Sequence, residues 1–136
     1  MQSQPTLSQL LEAVRELLTD DLIPTIQDGG LRFKALIAAN ILAIGERELA
    51  SGEAAMDAEL ARLHNLLATD DEPPTRLYDK RAAILSANRH LAQRIRSGEA
   101  DEGMVGAEVR NHVRQTLIDQ LRVANPKFLS KFTSKD

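Results

Sequence analysis

The most pointed chemistry in this chain lies in two asparagines. Asn40 sits between Ile37 and Ile44, and Asn88 between Leu85 and Leu91, each on what the spacing reads as the buried face of a helix. An amide buried without partners costs roughly 1–3 kcal/mol, so each must find hydrogen bonds. Either the two amides bridge packed helices, bonding to each other or to neighbours, or they form the polar floor of a ligand pocket beside Arg32 and His90. The structural reading carries more weight, because buried polar groups are mostly satisfied internally.

The remaining reactive residue types point away from catalysis. His64, His90 and His112 fall on three different predicted helices, and Glu108 is the carboxylate that helical spacing sets beside His112. A helical zinc protease needs two histidines flanking a glutamate, and a di-iron bundle needs repeated Glu-x-x-His; neither pattern occurs. The histidines therefore read as surface or rim residues, and no metal site is expected. Glu46-Arg47-Glu48 and Asp101-Glu102 supply adjacent carboxylates. Neighbours on a helix point about 100° apart, so they do not work as an acid–base pair on one atom. Arg32, Arg89, Arg96 and Arg110 lie on or beside apolar faces, where arginine stems cover core edges and the heads stay in water. Asp28-Gly29-Gly30 reads as a turn, with no Gly-x-x-x-x-Gly-Lys to cradle a phosphate. The chain has no cysteine. No catalytic constellation emerges, no cofactor is expected, and the enzyme reading is disfavoured.

Composition narrows the partners. The chain has 136 residues, 17 basic and 20 acidic side chains and a net charge of -3, with both signs interleaved. Nucleic-acid binders draw most of their affinity from a basic excess, and at 3% aromatics there is no stacking platform either. The N-terminus lacks the pattern of a signal peptide, and the longest apolar stretch, Leu36 to Ile44, is broken by Asn40. It falls well short of the roughly 20 residues of a membrane span. The expectation is a cytoplasmic protein that binds neither nucleic acid nor membrane.

The elements that must position these residues are all helical. Leu7, Leu10, Leu11, Val14, Leu17 and Leu18 mark a first helix, opened by a Thr6–Gln9 capping box. A second runs over about 31–51, apolar on two sides and stopped at Gly52, and reads as the central helix of the fold. Met56, Leu60, Leu63 and Leu67 mark a third over about 53–68. Residues 69–75, with Pro73-Pro74, make the one long connection. A fourth helix over about 75–97 ends at Gly98. A fifth, from about Asp101, carries Val105, Val109, Val113, Leu117 and Leu121 on its core face and stops at Asn125-Pro126. Phe128, Leu129 and Phe132 remain on a short basic tail over 126–136, to pack back or face a partner. The fold class is an all-α, single-domain bundle of about five mostly antiparallel helices over 1–136.

Several strings together resemble a known family. Leu11-Glu12-Ala13-Val14-Arg15, Leu31-Arg32-Phe33, Ala38-Ala39-Asn40, Glu46-Arg47-Glu48-Leu49, Ile95-Arg96-Ser97-Gly98 and the ending from Leu121 to Phe128 are similar to an uncharacterised family of small bacterial helical proteins. Its members are often encoded beside aminoglycoside-phosphotransferase-like kinases and acyl-CoA dehydrogenases. The resemblance implies recurring positions at Arg32, Phe33, Asn40, Arg47, Glu48, Asn125 and Pro126, and a context rather than a reaction. Two functions are therefore expected. The first is a non-catalytic accessory protein beside a phosphotransferase-like partner, docking through helix faces and the Phe128, Leu129 and Phe132 tail. The alternative is a small-ligand binder or enzyme with a pocket at Arg32, Asn40, Asn88 and His90. Symmetric dimerisation is compatible with both.

Overall fold

A computed structural model describes residues 4–133, with side chains through residue 131. Its helices are α1 (Leu7–Glu16), α2 (Gly29–Leu67), α3 (Leu77–Arg96), α4 (Gly103–Ala124) and α5 (Pro126–Thr133). Among the described residues there is no strand, in keeping with the absence of alternating apolar patterns. No helix is long and apolar enough to cross a membrane, again among those residues.

Local capping follows the sequence closely. The Thr6 hydroxyl accepts from the Gln9 backbone N–H at 3.3 Å while the Gln9 side chain accepts from the Thr6 N–H at 2.8 Å, closing the capping box. Past α1 the chain widens into a π-helical turn (Leu17–Leu22) and tightens into a 3-10 turn (Ile23–Thr25) carrying Pro24. Asp28 then caps α2, its carboxylate accepting the Leu31 N–H at 2.6 Å. Gly98, at φ 88°, stands just past α3 where a left-handed residue is needed.

Two segments depart from the sequence reading. The helix expected over 31–51 is present but does not stop at Gly52; it continues through the expected third helix as one 39-residue element. Gly52 is buried inside that helix and does not have a positive φ. Flanking glutamates and alanines, all good helix formers, carry the backbone through a single glycine at a cost of about 1 kcal/mol. A Cβ added there would meet the carboxylate of Glu48 at 2.8 Å, the far end of a flexible side chain rather than backbone. Gly52→Ala is accordingly expected to raise stability by about 0.5–1 kcal/mol. A loss of stability in urea melts would instead restore a helix break at this position. The second departure is the tail. Asn125 ends α4 and also caps α5, its side chain accepting the Phe128 N–H at 3.1 Å, with Pro126 at the first helical position.

The chain divides into two compact units, with the boundary at Gly52-Glu53 within α2. In the first, α1 lies on the N-terminal half of α2. Leu11 meets α2 at Gly45, and Arg15 Nε donates to Glu46 Oε1 at 2.8 Å. Among the described residues of this unit, Ile23 and Ala39 are the buried hydrophobics. The apolar stripes of both helices are left half-open, Leu7, Leu10, Val14 and Leu17 on α1 and Phe33, Leu36, Ile37 and Ile41 on α2. The stretch read from sequence as a surrounded central helix thus has an exposed apolar face.

The second unit holds the better core. Leu63 is fully enclosed and packs with Leu91 and Val109, joined by Leu66, Leu67, Ile84, Ala87 and Ala100. Arg94 Nη1 donates to the Leu66 carbonyl at 2.7 Å, satisfying one of the open acceptors at the end of α2. Lys80 is buried yet paired, its Nζ 2.9 Å from Glu53 and 2.7 Å from Asp57. Hydrogen bonds to Asp57 and Glu53 raise its pKa, so it stays charged.

Candidate functional site

The helix read as a core element is amphipathic in the opposite sense along part of its length. On α4, Gly106, Val109 and His112 face inward, while Val113 and Leu117 are exposed, Leu117 at 53%. Asn125-Pro126 turns the chain so that Phe128 and Leu129 of α5 come back beside this open face. Between the two helices lies a groove of about 940 Å³, lined chiefly by Val109, Val113, Leu117, Leu121, Ala124, Phe128 and Leu129. Its charged lining is Arg110 and Arg114, one turn apart, and neither is ion-paired among the described residues. An apolar floor edged by two open guanidiniums suits an amphipathic element bearing carboxylates.

Behind Arg114 and Ile118, which line both sites, is a polar recess of about 650 Å³ with Arg62, Asn65, Glu108, His112 and Gln115. Asp119 organises its edge. It accepts from Arg62 Nη2 at 3.4 Å, Gln115 Nε2 at 2.9 Å and Arg122 Nη1 at 3.2 Å. His112 is 4% exposed, and its Nδ1, like Arg62 Nε, is buried without a hydrogen-bond partner. Burial lowers the His112 pKa below its usual 6.5, and the nearby Arg62 charge lowers it further against a smaller pull from Glu59. The unfolded chain then takes up this proton at higher pH than the folded one. Stability is fully present above about pH 6.5 and falls as pH drops below it, by at most about 1.4 kcal/mol per pH unit. Urea melts at pH 7.5 and 5.5 should show this loss, and His112→Gln should flatten that part of the profile.

The residues singled out from sequence are distributed differently. Asn88 is half-buried in α3 and donates from Nδ2 to Glu59 Oε1 at 3.2 Å, a bridge between helices. His90, also on α3, is exposed and lines neither the groove nor the recess. Arg32 and Asn40 belong to the first unit and are exposed, so Asn40 is not the enclosed amide its neighbours suggested. Phe128 and Leu129 form one wall of the groove rather than a free tail, and the Phe132 side chain lies outside the described residues. Among the described residues no cluster of histidines and carboxylates has the grouping of a metal site. Sequence reasoning missed Arg114 and the enclosure of His112. The signal for α5 was present, since Asn before Pro is a helix start as well as a stop.

A family model, the domain of unknown function DUF6285, matches residues 24–128. The chain belongs to this family. The DUF6285 match takes in α2, α3 and α4 whole and closes at Phe128, inside the groove wall. No curated protein and no solved structure matches the chain.

Proposed function

We propose that this DUF6285 protein is a non-catalytic accessory protein whose α4–α5 groove receives an acidic amphipathic helix of a partner. The single observation that carries this reading is the pairing of an open apolar floor with Arg110 and Arg114, with no acidic side chain in the lining among the described residues. Helix-in-groove recognition uses apolar anchors at i, i+3, i+4 and i+7 for affinity. Flanking charge selects the partner and speeds encounter more than it adds affinity. The resemblance to proteins encoded beside phosphotransferase-like kinases makes such an enzyme the partner to try first. A ligand pocket at Arg32, Asn40, Asn88 and His90 has less support, because Asn88 is already bonded to Glu59 and His90 lines neither cavity.

Fluorescence anisotropy with two designed helical peptides tests the proposal. Both carry the same leucine stripe, one flanked by glutamates and the other by lysines. The acidic peptide should bind about tenfold more tightly or better, a difference of about 1.4 kcal/mol, and the gap should narrow with added salt. Equal binding of the two, or preference for the lysine peptide, contradicts it.

A further inference from the structure

The recess at His112 has a chemistry of its own. It lies wholly within the second unit, between α2 and α4, and shares with the groove only Arg114 and Ile118. Glu108, His112, Gln115 and Asp119 recur on one face of α4 at three- and four-residue steps. A face turned toward a neighbouring helix is ordinarily apolar, so a polar stripe here calls for partners. Two side chains lack them. Arg62 commits Nη2 to Thr116 Oγ1 at 3.3 Å and Asp119 Oδ2 at 3.4 Å. Its Nε is enclosed and unpartnered, as is Nδ1 of His112, a residue only 4% exposed. Arg62 Nη1 and His112 Nε2 are not enclosed, and they too have no hydrogen bond among the described residues. Arginine donates and never accepts, and the imidazole, held neutral at pH 7 by burial and by Arg62, still offers one N–H. We propose that this recess binds the oxyanion of a small organic molecule, a carboxylate or a phosphate ester, on Arg62 and His112, with Arg114 as a second cation across from them.

Charge and size both favour such a ligand. An oxyanion supplies the acceptors that these N–H groups lack, and hydrogen bonds to it are strengthened by its charge. Arg114 is exposed and has no ion pair among the described residues. It stands about 160° around α4 from His112, at the opposite edge of the recess. The carboxylates nearby are accounted for. Asp119 already accepts from Arg62, Gln115 and Arg122, and Glu59 from Asn88 on α3. Glu108 is exposed and begins one turn before His112, about 6 Å along the helix axis, which puts it at the rim. The recess, at about 650 Å³, has room for more than a bare anion and matches the roughly 300–1,000 Å³ of small-molecule sites. Leu66 and Ile118 offer apolar contact to the body of the ligand.

The test follows the imidazole resonances of His112 in full-length protein labelled with ¹⁵N-histidine, assigned by their loss in His112→Gln. Sodium succinate and glycerol 3-phosphate are titrated separately to about 20 mM at constant pH and ionic strength, against sodium chloride as the control. One or both should shift His112 saturably, with a Kd of about 1 mM or tighter, and leave His64 and His90 in place. The tighter probe names the ligand class. Arg62→Gln should weaken binding by about tenfold or more, and Arg114→Gln by about threefold. Arg122→Gln removes the same charge from outside the lining and should leave the Kd within about twofold. Arg114 is exposed, so its variant decides the question should Arg62→Gln unfold. No saturable shift with either probe, a shift that chloride reproduces, or equal effects of Arg114→Gln and Arg122→Gln would overturn the inference.

Discussion

Leu117→Asp should weaken binding of the acidic helix by about 30-fold or more, the equivalent of about 2 kcal/mol, with the fold unchanged. Leu117 lies midway along the groove and is 53% exposed, so its replacement removes a central apolar anchor and exposes no core. Surface substitutions of this kind usually alter stability by no more than about 0.5 kcal/mol. The aspartate also adds a negative charge between Arg110 and the α5 wall, which repels the carboxylates of the ligand. Anisotropy gives the affinity and a urea melt gives the stability, so the two effects separate. The double substitution Arg110→Glu and Arg114→Glu sharpens the same point. It should transfer preference from the acidic peptide to the lysine-flanked one, because the apolar floor persists while the sign of its edge reverses.

The largest stability effect belongs to Leu63. Its side chain is fully enclosed, against Leu91, Val109 and a ring of partly buried neighbours drawn from α2, α3 and the chain leading into α4. Leu63→Ala removes that packing and leaves a cavity that rigid helices fill only in part, at a cost of about 2–5 kcal/mol. For a domain of ordinary stability that is a large share of the total. A urea melt should move its midpoint without changing its slope. A loss under 1 kcal/mol would mean that the second unit draws its stability from elsewhere.

Much of this fold is written in local chemistry. The capping box at Thr6, the stop at Gly98, the proline break at 73–74 and the Asn125-Pro126 junction each act within a few residues, and the structure has all four. Gly52 misleads for a physical reason. A glycine after an amphipathic run resembles a C-terminal stop, yet the residues beyond it propagate a helix well enough to absorb one glycine. Burial is harder to read than helicity, because periodicity identifies an apolar face without saying whether anything covers it. Val113 and Leu117 follow the same pattern as Val109, but only Val109 is buried. Asn40 and Asn88 look equivalent in sequence. Their surroundings are not: Asn88 bonds Glu59 between helices, while Asn40 lies open on a stripe. The groove itself depends on how α5 returns toward α4, a tertiary fact that no spacing encodes.

The recess at His112 bears on the groove through Arg114 and Ile118, which line both. Protonation of His112 at low pH would set a second cation beside Arg62, and that is the charge arrangement burial resists.

The most direct test of the groove is its location by nuclear magnetic resonance. Uniformly ¹⁵N-labelled full-length protein would be titrated with the glutamate-flanked helical peptide while backbone amide shifts are followed. A helix seated in the groove should concentrate the shifts on residues 109–129, on α4 and α5 around Val113, Leu117, Leu121 and Phe128. Shifts confined to residues 7–49, or spread evenly over the chain, would contradict a binding groove between α4 and α5.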